Sequence, residues 1–84
     1  AICAAPSILG EMGLLKGRTA TCYPGFEDKL EGVSYTRQGV ITDGNITTAR
    51  GLGYALDLGI ELIRLLMGPQ HAQMVKDSIQ YDQV

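Results

Sequence analysis

Eighty-four residues with 45% hydrophobic and 19% charged side chains at a net charge of −2 have the composition of a globular core, without the stripe of lysine and arginine that nucleic-acid binding demands. A chain this short buries only roughly 60% of its unfolded surface, so it is expected to fold with a partner. No apolar run approaches the ~18 residues that span a bilayer. The two cysteines and single histidine offer neither zinc-ligand spacing nor a disulfide framework, which makes a reducing, cytoplasmic compartment the expectation.

The chain opens on Ala1-Ile2-Cys3-Ala4-Ala5-Pro6, an apolar strand that turns into a helix. Pro6 fits a first helical turn, where its fixed φ and missing N–H are tolerated. Cys3 therefore stands at an elbow, facing N–H groups that have no intrahelical partner. Such a place favours a thiolate and can hold an oxyanion; the plainer alternative is a cysteine packed at a strand end. No initiator methionine precedes it, and a strand ending at residue 3 pairs usefully only if earlier residues extend it. An N-terminal fragment of the same polypeptide is thus the expected partner.

Ile8, Leu9 and Met12 give helical spacing over Pro6 to Met12, with Gly13 as the stop. Leu14-Leu15-Lys16-Gly17 reads as a turn, and Arg18-Thr19-Ala20-Thr21-Cys22-Tyr23 as a strand that Pro24-Gly25 ends. Cys22 is expected in the core, with a resolving thiol as the alternative. Phe26 to Leu30 suits one or two helical turns with acidic residues near the positive end. Val33 to Thr36 and Val40 to Ala49 are extended, the latter folded into a hairpin at Asp43-Gly44-Asn45 because Asp-Gly suits a tight turn with positive φ.

From Gly53 to Met67 the pattern is a long helix. Its Asp57, Glu61 and Arg64 form a narrow stripe expected to face water, and the apolar remainder predicts burial on more than one side. Gly68-Pro69 ends this helix and starts another with Ala72, Val75 and Ile79 on one face. His71 lies there among Gln70, Ala72 and Gln73 and is expected at the surface, with no metal-ligand partner at helical spacing. Arg50-Gly51-Leu52-Gly53 reads as a strand-to-helix turn rather than a phosphate loop.

This order of elements resembles the C-terminal half of the ThiJ/PfpI family, on the strength of Ala1-Ile2-Cys3-Ala4-Ala5-Pro6, Tyr23-Pro24, Asp43-Gly44-Asn45-Ile46-Thr47-Thr48 and Arg50-Gly51. The resemblance implies a flavodoxin-like three-layer αβα sandwich, related to class I glutamine amidotransferase domains and usually a homodimer. Residues 1–84 would be the C-terminal part of that single domain, its N-terminal part absent from this chain. It also implies that Cys3 is the catalytic cysteine and that the Ala4 N–H binds the oxyanion. A glutamate from an early helix and a second N–H from a glycine-bearing loop complete the family's site, and neither lies in this chain. Three positions depart from the family's variants. Ala4 replaces the histidine of the PfpI-type proteases, which removes a neighbouring base. Tyr23 replaces the histidine frequent in the Parkinsonism-linked deglycase branch; a phenol, ordinarily titrating near pH ~10, is an auxiliary hydrogen-bond donor rather than a base. Leu52 replaces the proline of Arg-Gly-Pro-Gly.

The leading expectation is a cysteine-dependent glyoxalase or deglycase acting on small reactive dicarbonyls or glycated adducts in stress protection, with no metal or organic cofactor. The alternative from another class is a redox sensor or chaperone whose Cys3 is oxidised to a sulfinate. A PfpI-like hydrolase and a non-enzymatic binding module are further alternatives.

Overall fold

The computed structural model describes residues 1–81. Ile2 bridges Ala49 in the parallel sense, and helix α1 follows at once as Ala5–Glu11 with Pro6 in its first turn. Gly13 takes φ 77°, the left-handed conformation that costs a glycine least. Its N–H then donates to the Gly10 carbonyl at 3.0 Å, and the Leu14 N–H to that of Leu9 at 3.1 Å. This is the paired closure of a Schellman motif.

Strand β1, Thr19–Ala20, pairs in parallel with β2, Ser34–Tyr35. The extended run predicted to reach Tyr23 leaves this ladder early because its later N–H groups bond elsewhere. That of Thr21 donates to Thr48 Oγ1 at 3.0 Å and that of Tyr23 to the Cys3 carbonyl at 2.8 Å. The predicted helical turns of 26–30 are a single 3-10 turn at Glu27–Lys29.

Strands β3, Val40–Asp43, and β4, Ile46–Ala49, form the antiparallel hairpin, with Asp43 opposite Ile46. The two turn residues are Gly44 and Asn45, one position later than an Asp-Gly centre, and Gly44 carries the positive φ of 64°. A glycine at the first central position is what a two-residue hairpin of the II′ kind requires. Asp43 is thereby freed for other work. Its carboxylate accepts the Thr19 N–H at 2.7 Å and its carbonyl accepts Arg18 Nη1 at 2.9 Å, tying the hairpin to β1.

The core is formed by Leu15, Ala20, Cys22 and Leu30, with Leu9, Val33, Tyr35 and Ile46 packed around them. Leu15 lies in a predicted turn, yet it is fully buried and anchors that turn to the sheet.

A 3-10 turn at Leu52–Tyr54 leads into helix α2, Ala55–Met67, and Gly68 separates it from α3, Pro69–Ser78. Helix α2 packs on α3 and on the hairpin. The expectation that its charged stripe is solvated holds for Arg64, which is exposed, and is corrected for Asp57 and Glu61, which are half-buried. Glu61 accepts hydrogen bonds from Thr42 Oγ1 at 2.7 Å and from Arg64 Nε at 2.7 Å, and Asp57 accepts one from the Tyr81 hydroxyl. Glu61 turns inward to the Thr42 hydroxyl of the hairpin, itself 2.8 Å from that of Thr47, and Asp57 turns to the Tyr81 hydroxyl. Leu58, Ile60 and Ile63 are half-buried as well. Leu56, Leu65, Leu66 and Met67 are exposed, and no residue of α2 is buried. On α3, Ala72 is buried, Val75 and His71 are half-buried, and Ile79 is exposed, so neither the apolar face nor the surface histidine is as simple as the spacing predicts.

Candidate active site

Cys3 adopts φ 65°. A non-glycine residue in this region carries strain of roughly 1–3 kcal/mol that its surroundings must offset. Three backbone hydrogen bonds hold it. The Cys3 N–H donates to the Ala49 carbonyl at 2.9 Å, the Cys3 carbonyl accepts the Tyr23 N–H at 2.8 Å, and the Ala5 N–H closes on the Ile2 carbonyl at 3.0 Å. The elbow is thus pinned on one side by β4 and on the other by the segment after β1. Alternating bonds to two neighbours force the chain to turn sharply at Cys3 before α1 begins.

Ala4 caps α1 with its backbone already helical, at φ −79° and ψ −18°. Its carbonyl accepts both the Ser7 N–H at 3.0 Å and Ser7 Oγ at 2.6 Å. Among the described residues its N–H has no hydrogen-bond partner, in contrast to the Cys3 N–H, which Ala49 takes. A donor left open next to a thiol can stabilise charge that develops on an oxygen attached to a carbon under attack.

Tyr23 reaches the elbow through its backbone, and its ring stands beside Gly51, where a Cβ would lie 3.5 Å from Cδ1. The ring meets Phe26 edge-on at 6.4 Å and is 49% exposed. Among the described residues its hydroxyl has no hydrogen-bond partner. Cys22 is different in kind. It is fully buried, and burial first, then the charges of Glu27 and Asp28, pushes its thiol above the ordinary value. Both cysteines are free.

A second arrangement lies next to this corner. Arg50 Nη2 donates to the Tyr54 hydroxyl at 2.8 Å, its guanidinium lies 4.9 Å from the centre of the Tyr54 ring, and Nη1 donates to the Arg37 carbonyl at 2.6 Å. The spacing of four between Arg50 and Tyr54 was a signal; the third member was not. A Cβ on Gly39 would lie 2.1 Å from Cδ1 and Cε1 of Tyr54, so glycine is what lets that ring approach so closely. Among the described residues no three His, Cys, Asp or Glu side chains gather as metal ligands would, and no helix is long and apolar enough to cross a membrane.

A profile of the DJ-1/PfpI family matches residues 1–65. The chain belongs to that family. Protein DJ-1 homolog B of Arabidopsis thaliana is 40% identical over 74 residues, which are 86% of this chain and 17% of that protein. A protein named a deglycase in Pyrococcus abyssi is 37% identical over 67 residues, 77% of this chain and 40% of that protein. An isonitrile hydratase of Pseudomonas putida is 32% identical over 82 residues, 95% of this chain and 36% of the hydratase. Among solved structures, that of Toxoplasma gondii DJ-1, described as oxidized, superposes with a TM-score of 0.90 at 30% identity, covering 98% of this chain and 45% of the other. The flavodoxin-like α/β fold expected for the family is the fold of this structure. The DJ-1/PfpI chain described here spans less than half the length of each of these relatives.

Proposed function

We propose that this chain carries the nucleophile of a cysteine-dependent enzyme that acts on reactive dicarbonyls or their early adducts, in the manner of a glutathione-independent glyoxalase or deglycase. The observation that carries the reading is the strained Cys3 with an open donor at Ala4. The relative named a deglycase supports it. In this reaction the Cys3 thiolate adds to the aldehyde carbon, a C–S bond forms, and the carbonyl electron pair moves to oxygen beside the Ala4 N–H. The carbon-bound proton is then transferred to the neighbouring carbonyl carbon by way of an enediolate, which leaves a thioester bearing an adjacent hydroxyl. Water hydrolyses that thioester to a 2-hydroxy acid and returns the thiol. The base for the proton transfer is the glutamate that the family resemblance assigns to an early helix, and Tyr23 contributes a single hydrogen bond.

In the same proposal the rest of the family domain extends the strand through Ile2 and covers the apolar side of α2. Domains assembled in this way pair as homodimers in a cytoplasmic, reducing setting that keeps both cysteines free. The test uses the assembled protein in metal-free buffer without glutathione. Methylglyoxal should be converted to a 2-hydroxy acid, and Cys3→Ser should abolish the conversion while leaving the melting temperature near that of the wild type. A second reading, an oxidisable sensor, is favoured by the oxidized state of the Toxoplasma gondii relative. Wild-type protein inert toward methylglyoxal, yet converted to the Cys3 sulfinate by mild peroxide, would replace the first reading with the second.

A further inference from the structure

We propose that Thr48 is a positioning residue for the reaction at Cys3: its buried hydroxyl ties together the two chain segments that hold the elbow. The inference rests on the carbonyl-addition reading of Cys3 and adds to it a side chain that acts through others.

The contacts form a closed ring. The Cys3 N–H donates to the Ala49 carbonyl at 2.9 Å, and Thr48 is the residue just before Ala49. Thr48 Oγ1 accepts the Thr21 N–H at 3.0 Å. Two residues after Thr21, the Tyr23 N–H donates to the Cys3 carbonyl at 2.8 Å and closes the ring. Cys3 is thus held through its N–H by one segment and through its carbonyl by another, and Thr48 fixes the spacing between the two. The bonds to Cys3 itself join backbone to backbone and belong to every residue type but proline; the bond across the ring depends on a side chain.

Burial decides how much that side chain matters. Thr21, Cys22, Thr48 and Ala49 are all buried within this chain, and a donor stripped of its partner in such a place carries the cost of its lost hydration. The Thr21 side chain adds no tie of its own, since its Oγ1 is buried without a partner among the described residues. Cys3 has most to lose from slack in the ring. Its φ of 65° is a conformation that a non-glycine residue keeps only while its neighbours over-determine it. Relaxing it turns the thiol relative to the Ala4 N–H, and a misplacement of ~1 Å at reacting groups can cost about a hundredfold in rate. The other threonine pair of the hairpin supplies the contrast: Thr42 bonds Thr47 and the Glu61 carboxylate of α2, with no bond to the elbow among the described residues.

The experiment compares Thr48→Val, Thr48→Ser and Thr42→Val in the assembled protein by amide hydrogen exchange and by turnover of methylglyoxal. Thr48→Val keeps the shape and loses the acceptor, so exchange at the Cys3 and Tyr23 amides should speed up about five- to tenfold. Its kcat should fall about tenfold or more while KM changes little. Thr48→Ser keeps the oxygen and should restore both. Thr42→Val should leave the elbow amides and kcat as they are even where it lowers the melting temperature, which separates positioning from general stability. If Thr48→Val does not fold, Thr48→Ala set against Thr48→Ser gives the same contrast. Unchanged protection at both amides, protection lost with kcat intact, or equal losses in Thr42→Val would each overturn the proposal. Protection lost in Thr48→Val, in a protein whose wild type leaves methylglyoxal untouched, would sink the enzymatic reading and leave Thr48 as the tie that holds the elbow. Wild-type turnover with protection unchanged in Thr48→Val would do the reverse.

Discussion

The elbow corner and the α2–α3 arm are built from the same chain in opposite ways. At the corner, residues 1–3, 21–23 and 47–49 exchange backbone and hydroxyl hydrogen bonds over long sequence separations, and Thr21, Cys22, Thr48 and Ala49 are all buried. In the arm, no residue of α2 is buried; Leu66 is 83% exposed, and the half-buried groups include the Glu61 and Asp57 carboxylates, on threonine and tyrosine hydroxyls, as well as Leu58, Ile60 and Ile63. The contrast teaches that backbone bonds within this chain hold the strained Cys3 elbow in place, whereas its longest helix carries large apolar side chains on the surface. A strained residue needs neighbours that over-determine it, and such neighbours are local to the corner.

Cysteine labelling probes the corner with the largest expected effect. In native protein Cys3 should react with iodoacetamide at least about a hundredfold faster than Cys22, whose thiol is both buried and held in its protonated form. Equal rates by mass spectrometry would remove the distinction between a half-buried elbow thiol and a core thiol. Next in size is a pair of substitutions read by thermal or denaturant unfolding of the assembled protein. Leu66→Ala should cost about 2–5 kcal/mol if the arm is covered as proposed, and a change within about 0.5 kcal/mol would mean that the helix face stays in water. At the corner end, Gly10→Ala should destabilise by about 1–2 kcal/mol despite the better helix propensity of alanine. The added Cβ would lie 2.5 Å from the Lys29 carbonyl oxygen, a backbone atom that cannot swing aside.

Smaller effects sharpen the comparison. Tyr23→Phe removes one neutral hydrogen bond, worth about 0.5–1.5 kcal/mol, so dicarbonyl turnover should fall only a few-fold to about tenfold. A thousandfold loss would make Tyr23 the proton-transfer residue. Within the arm, hydrogen bonds first from Arg64 and then from Thr42 hold the Glu61 carboxyl below the usual carboxylate range. A group depressed on folding contributes stability that is present above its unfolded value of about 4.3 and is lost as pH falls through its folded value. Acid unfolding of Glu61→Gln should accordingly depend less steeply on pH below about 4 than that of the wild type. Superimposable profiles would show that the Glu61 contacts add nothing on folding.

Much of this was legible in the residues. Pro6 and Gly13 bracket α1, Gly68-Pro69 divides the last two helices, and Asp43-Gly44-Asn45 marks the hairpin, because each depends on a φ value or a missing N–H that belongs to the residue type itself. The same holds for the position of Cys3 at a strand-to-helix turn. Other features had no local cause. The turn centre moved one residue because Asp43 has tertiary partners in Thr19 and Arg18, β1 stopped short because Thr21 and Tyr23 found other acceptors, and Leu15, within its predicted turn, is buried in the core. The inward stripe of α2 is the clearest case. Helical periodicity separates two faces but does not say what each one meets, and here Glu61 meets the Thr42 hydroxyl of the hairpin and Asp57 that of Tyr81. The sequence by itself determined where the chain turns and which thiol stands at the turn, since those rest on single-residue stereochemistry. Only the tertiary structure decided that Cys3 is strained, that the Ala4 N–H is left open, and that Arg50 clamps Tyr54 over Gly39, because each needs groups far apart in the chain to meet at bonding distance.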